Sequence, residues 1–218
     1  METSATGTHQ SLMDGVYRHQ RRVYDATRKY YLLGRDHLLS ELNPAPDETA
    51  LEIACGTGRN LICAAKLYPN ARFYGLDLST EKLKTAKVSI QKSRLEDSIQ
   101  LAEADATDFD PGVLFGVEKF DHIFISYSLS MIPAWQACLS SAVSHLNRGG
   151  ALHVVDFGEQ DQLPAWFGTL LETWLKKFHV SPRADIEDAM RHISERFGAK
   201  LEFKPLYRDY ARYGVIRL

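Results

Sequence analysis

Across residues 49 to 157, short apolar runs alternate with longer amphipathic ones, and this alternation predicts the core of the fold. Strands are expected at 49–54, 71–76, 99–104, 120–126 and 150–157, with helices at 58–68, 79–92 and 134–147. The strands are too apolar to leave one face in water, so they should form a parallel sheet covered by helices on both sides. Turn residues fall where strands should begin, Pro69-Asn70 before the second and Gly149-Gly150 before the last of the series. Upstream, Leu12, Val16, Val23, Tyr24, Tyr31, Leu32, Leu38 and Leu39 recur mostly every three or four residues. That spacing predicts a helical cap over 11–43, divided at Gly34 and ended by Asn43-Pro44-Ala45-Pro46. Residues 1–10 are polar and aperiodic and should be a disordered tail. Downstream, the apolar positions from Trp166 to Phe178 predict a helix, a second helix runs over 183–197, and the runs 200–206 and 209–218 are placed to pair as an antiparallel hairpin.

Composition then sets limits. A chain of 218 residues with 44% hydrophobic content suits a single cored α/β domain, here 11–218. The net charge of −2 gives no whole-molecule attraction for nucleic acid, which is not expected as a partner. Cys55, Cys63 and Cys138 have no CxxC spacing and read as small core residues of a reducing compartment. The N-terminus lacks a charged-then-apolar signal, and no run approaches the ~18 apolar residues of a membrane span. These features predict a soluble cytoplasmic protein. His19, His153 and His179 lack ligand spacing with one another or with the cysteines, so no metal is expected.

Candidate chemistry begins at Leu51–Asn60, LEIACGTGRN, where a strand passes through a glycine loop into a helix. Glycines at 56 and 58 let backbone approach a ligand, and the helix start adds unpaired amides beside it. Walker-type nucleotide binding is excluded because Arg59-Asn60 stand where lysine and a hydroxyl residue are needed. A dinucleotide fingerprint is disfavoured by Leu61 at its third glycine position, where a side chain should obstruct close helix–strand packing. Asp77 ends the next strand, placed for two ribose hydroxyls, with Leu78 beside it for an adenine face. Taken alone, Asp77 also fits a helix-capping or turn acid. Asp105-Ala106 follows one strand later, with a carboxylate for the adenine amino group. Ser126 and Tyr127 close the fourth strand at the cleft mouth, where open α/β sheets bind ligands. Together these strand ends describe an adenosine with an amino-acid tail.

Glu52-x-Ala54-x-Gly56-x-Gly58, Asp77, Asp105-Ala106 and the terminal hairpin resemble the class I S-adenosylmethionine-dependent methyltransferases, over roughly residues 45 to 218. The resemblance implies a Rossmann-like α/β fold with sheet order three-two-one-four-five-seven-six and strand seven antiparallel. It also implies S-adenosyl-L-methionine as cofactor and S-adenosyl-L-homocysteine as product. The implied cofactor-binding residues are Glu52, Ala54, Gly56, Gly58, Asn60, Asp77, Leu78, Asp105, Ala106 and Ser126, with Ala54 standing where many members carry glycine.

Further stretches are similar to the N-methyltransferase of bacterial betaine-lipid synthesis: Tyr17 to Tyr30, Leu33-Gly34-Arg35-Asp36, Ser126 to Pro133, and Val155-Asp156-Phe157-Gly158. That family trimethylates diacylglycerylhomoserine. The resemblance implies a lipid substrate at the inner face of a membrane and, as functional partner, the aminocarboxypropyl transferase that makes the precursor. A phosphatidylethanolamine or other small-amine N-methyltransferase is the alternative. Methyl transfer to nitrogen is an in-line displacement that requires a neutral amine, exclusion of water and aromatic faces for the product cation. Tyr127, Tyr24 and Tyr31 are the candidate catalytic residues. Arg28, Arg35 and Tyr30 are candidates for binding substrate, the arginines through its carboxylate. The basic N-terminal helix and the tryptophan-bearing helix at 165–178 are the two candidate membrane contacts, although each also reads as ordinary packing or a solvated face.

Overall fold

The computed structural model describes residues 32–164, 173 and 183–218. The predicted tail, most of the cap, with Tyr24, Arg28, Tyr30 and Tyr31, and the 165–178 helix lie outside these residues. The chain divides into units Met1–Leu33 and Gly34–Leu218, and the architecture below is that of the second. Its elements run α1 (Arg35–Leu42), β1 (Thr49–Ile53), α2 (Arg59–Leu67), β2 (Arg72–Asp77), α3 (Thr80–Ser93), β3 (Ile99–Glu103), α4 (Pro111–Phe115), β4 (Phe120–Ser126), α5 (Trp135–Ser144), β5 (Leu146–Phe157), α6 (Ile186–Phe197), β6 (Lys200–Leu206) and β7 (Ala211–Arg217).

The seven strands form one sheet in the order β3-β2-β1-β4-β5-β7-β6. Pairing is parallel from β3 to β5, whereas β7 runs antiparallel to both β5 and β6. This is the Rossmann-like methyltransferase order, with its reversed strand. Alternating strand residues supply the two faces. Leu51, Ile53, Ile123, Ile125, Leu152 and Val154 join Trp135, Leu139, Ile186 and Met190 of α5 and α6 in one continuous core. On the opposite face, α1 packs against β5, and α2 and α3 pack against β2 and β3.

Three details depart from the sequence expectations. The fifth strand begins at Leu146 instead of 150, because Gly149, at φ 82°, sits within a register shift where Phe120 pairs with Leu146 and His122 with Ala151. The glycine pair therefore makes a bulge inside the strand and does not mark its start. Short α4 was not anticipated, although its start carries a clear signal: Asp110 accepts from the Gly112 and Val113 amides, and Pro111 follows. Leu61 does not obstruct the loop. It is fully buried against β2, where a Cβ on Gly75 would come within 2.5 Å of Leu61 Cδ1 and 2.9 Å of Cys55 Sγ. The close helix–strand approach is made by a glycine on the strand instead of one on the helix. Gly75→Ala should thus overpack this contact by about 1–3 kcal/mol in urea denaturation, and Leu61→Ala added to it should recover part of the loss.

Candidate active site

The turn from β1 into α2 is tight. Ala54, Gly56 and Gly58 all take left-handed backbone, with φ 57°, 57° and 76°. Ala54 adopts a conformation that glycine would enter without Cβ strain, so the loop forms at a cost of about 1–2 kcal/mol. A Cβ on Gly56 would meet nothing within 4 Å, leaving its backbone open to a ligand. Gly58 serves another purpose, since a Cβ there would lie 3.1 Å from Ala86 of α3. The Gly58 amide closes the turn on the Cys55 carbonyl at 3.0 Å.

Asp77 holds this turn from the end of β2. It is 5% exposed, and its Oδ2 accepts from the Gly56 amide while Oδ1 accepts from the Ser79 amide, both at 2.9 Å. Lys82 Nζ lies 3.9 Å from Oδ1. The cap of α3 is Ser79, whose hydroxyl accepts from the Lys82 amide, so Asp77 acts as a turn acid alongside any ligand role. Glu52, also buried, accepts from Asn60 Nδ2 at 2.7 Å and thereby ties β1 to the first turn of α2.

Asp77, Leu78, Asp105 and Ala106 converge on one cavity of about 370 Å³, with Ala54 also in its lining. That volume is within the range of small-molecule sites. Leu78 is 69% exposed there, an apolar surface that a flat base would cover. Thr107 donates through its amide and hydroxyl to Asp105 Oδ1, and these bonds hold the carboxyl below the usual carboxylate range. Oδ2 accepts from no described residue and remains available for an amino group. The opposite wall is the loop after β4, with Ser128, Met131, Ile132, Pro133 and Ala134. An acid for a diol, a second for an exocyclic amine and an apolar shelf between them fit an adenosine.

Other candidates lie beside the cavity. Glu52, Gly56, Gly58 and Asn60 form the neighbouring turn. Ser126 ends β4, but Ser128, two residues on, reaches the cavity. Tyr127 is 2% exposed in left-handed backbone, φ 53°, with its ring edge-on to Phe157 at 4.7 Å. Burial raises its phenol well above the usual range, so it keeps its proton at neutral pH. Arg35 is buried at the start of α1, near enough for its charge to act on Tyr127. Sequence reasoning gave no site role to Lys82 or Thr107, and it quoted Ser128 within the Ser126–Pro133 stretch without singling it out. Lys82 looks like any first-turn helical lysine.

The profile of the family described as "Methyltransferase domain" matches residues 44–207. Among curated proteins, the chain is 30% identical over 175 residues to a ubiquinone/menaquinone biosynthesis C-methyltransferase UbiE of Allorhizobium ampelinum, covering 73% of this chain and 66% of the relative. It is 28% identical over 199 residues to the protein of that description in Rhizobium rhizogenes, covering 84% and 73%. The chain thus spans about two thirds to three quarters of the length of these relatives. Similar folds include an O-methyltransferase family protein from Burkholderia thailandensis, with TM-score 0.69, 17% identity, and 94% and 62% of the two chains covered. Another is phosphoethanolamine N-methyltransferase 2 of Haemonchus contortus, solved with phosphomonomethylethanolamine and S-adenosylhomocysteine, with TM-score 0.63, 16% identity, and 84% and 51% covered.

Proposed function

The chain belongs to the S-adenosylmethionine-dependent methyltransferases, its methyltransferase domain spanning residues 44–207, and from that premise we propose that it N-methylates the amino group of diacylglycerylhomoserine to give the trimethylated betaine lipid. What supports the acceptor is where the resemblance falls. Ser126 to Pro133 supplies Ser128, Met131, Ile132 and Pro133 to the cavity wall on the β4 side, across β1 from Asp77 and Asp105. Val155 to Gly158 lies at the end of the adjoining β5. Two of the four stretches that resemble the betaine-lipid enzymes thus fall at the ends of β4 and β5, one of them lining the cavity, while Tyr17 to Tyr30 lies outside the described residues.

When bound, the cofactor supplies a methyl group on a sulfonium, which a neutral amine attacks in line. Transfer would form the carbon–nitrogen bond as the carbon–sulfur bond breaks. The ammonium would give one proton to solvent before each of the three transfers, and the last would leave a quaternary nitrogen with no proton to lose. Asp77 and Asp105 would hold the adenosine and the Gly56 backbone its tail, and the apolar wall at Met131 to Ala134 would exclude water. Tyr127, protonated and packed on Phe157, positions the strand end and does not take the proton. Among the described residues no helix is long and apolar enough to cross a membrane.

A second reading is C-methylation of a polyprenylated ring, favoured by what the curated relatives are called. Incubating the protein with methyl-labelled cofactor and, separately, diacylglycerylhomoserine, phosphatidylethanolamine and a demethylated quinol separates the readings. We expect label on the homoserine nitrogen, accumulating to three methyl groups. Label confined to ring carbon or to the ethanolamine lipid would replace the proposed acceptor.

A further inference from the structure

We propose that the exposed face of α2 and α3 is a docking surface for an anionic lipid bilayer, beside the mouth of the cavity. The face itself is read from charge and exposure, while the choice of lipid as its partner rests also on the diacyl acceptor proposed above. Charge along the chain is strongly segregated. Residues 59–94 carry eight lysines and arginines against two acids, a local charge of +6, although the whole chain is at −2 and the remainder therefore at −8. A patch of this kind sets up a local field that the net charge conceals.

Folding gathers these cations on one side, because α2 and α3 pack against each other over β2 and β3. In α3, Ala86 and Ile90 turn inward, so Lys84, Lys87 and Val88 fall on the solvent side, and Lys92 and Arg94 follow, exposed, at its end. Lys66 in the last turn of α2 and Arg72 at the start of β2 are exposed as well. Lys84 pairs with Glu81 at 2.7 Å, but among the described residues Lys66, Arg72, Lys87, Lys92 and Arg94 form no ion pair.

The patch is not purely ionic. Leu67 is 58% exposed and Val88 49%, one on each of the two helices. Cations interleaved with apolar side chains match the boundary between head groups and acyl chains. A nucleic acid would also use aromatic faces, yet Phe73 and Tyr74 are buried, and the Tyr68 hydroxyl is committed to the Leu39 and Ser40 carbonyls. Lys82, in the first turn of α3, lines the cavity, and the helix runs from there for roughly 21 Å. A bilayer lying along it would keep two acyl chains in lipid while the head group enters the cavity.

Co-sedimentation of the full chain with lipid vesicles, with neither cofactor nor acceptor present, tests this. We expect binding to phosphatidylcholine vesicles containing about 30% phosphatidylglycerol, at least about tenfold weaker binding to phosphatidylcholine alone, and loss of that difference when salt is raised from about 0.1 M to about 0.5 M. Lys66→Gln, Lys87→Gln and Lys92→Gln combined should weaken binding to the anionic vesicles about 100-fold without lowering the melting temperature. Val88→Ser should weaken it about threefold. None of the three lysines lines the cavity, so the triple variant should methylate detergent-dispersed diacylglycerylhomoserine at the unaltered rate. Equal binding to neutral and anionic vesicles, or a triple variant that binds anionic vesicles as the unaltered protein does, overturns the proposal. So does tighter binding to duplex DNA that falls with the same three substitutions. If the unaltered protein binds anionic vesicles in this pattern but leaves diacylglycerylhomoserine unmethylated in detergent, the acceptor is lost and the surface stands.

Discussion

Replacing Asp77 with alanine is expected to weaken S-adenosylhomocysteine binding by at least ~100-fold, corresponding to about 2.7 kcal/mol. The carboxylate has two duties. In the proposed site it receives the ribose hydroxyls, and it fixes the turn that presents Gly56, through bonds of 2.9 Å to the Gly56 and Ser79 amides. Hydrogen bonds to a charged group contribute about 1.5–3 kcal/mol each, so loss of the ligand contacts and loosening of the turn together exceed the threshold. Asp77→Asn keeps one acceptor oxygen and should lose only about tenfold. Isothermal titration beside a thermal melt distinguishes the two duties. If the alanine variant melts lower yet binds within threefold of the unaltered protein, Asp77 is a turn acid alone.

The second large effect concerns stability. Gly158→Ala should cost about 3 kcal/mol and lower the melting temperature by about 6–12 °C, at the upper end of overpacking. A Cβ at 158 would overlap the carbonyl oxygen of Asp209, a backbone atom that cannot rotate away. The contact is fixed from both sides, because the Gly158 amide donates to the Tyr210 carbonyl at 3.0 Å and the Gln160 amide to the Asp209 carbonyl at 2.9 Å. The opposing turn is itself strained. Tyr207, Arg208 and Asp209 are all left-handed, with φ 53°, 59° and 62°, and each carries a penalty of about 1–2 kcal/mol. Arg212 holds that turn by pairing with Asp209 at 2.9 Å and Glu159 at 2.7 Å. Gly198→Ala is the control: its φ is 64° but a Cβ would meet no atom within 4 Å, so only the backbone penalty of about 1 kcal/mol should appear. Equal losses at 158 and 198 in chemical denaturation would contradict this packing account.

Much of the architecture is legible because it depends on neighbours in sequence. Short apolar runs define β1 to β4 within a residue or two, and Gly56, Gly58 and Asp77 sit at strand ends whose spacing can be counted. The terminal hairpin was likewise readable, since 200–206 and 211–217 are two β-like runs joined by a short polar turn. Asp77, Leu78, Asp105 and Ala106 were assigned to one ligand from sequence, and they share a cavity because parallel strands bring their C-terminal ends to one edge.

What escaped was each feature set by distance in space. Leu61 looked like an obstruction because its partner, Gly75, lies on another element, and nothing local tells a helix leucine that the facing strand has no side chain. Gly149-Gly150 could equally have marked a strand start or a bulge, and only pairing with β4 settled it. Arg183 finds its partners, the Leu129 and Ile132 carbonyls, at a 3₁₀ turn far from it in sequence. Local pattern thus determined the elements, their order and the two acids that share the cavity. Tertiary packing decided which oxygens remain free for a ligand and which are committed to the backbone, because a buried carboxylate takes its role from the amides that surround it.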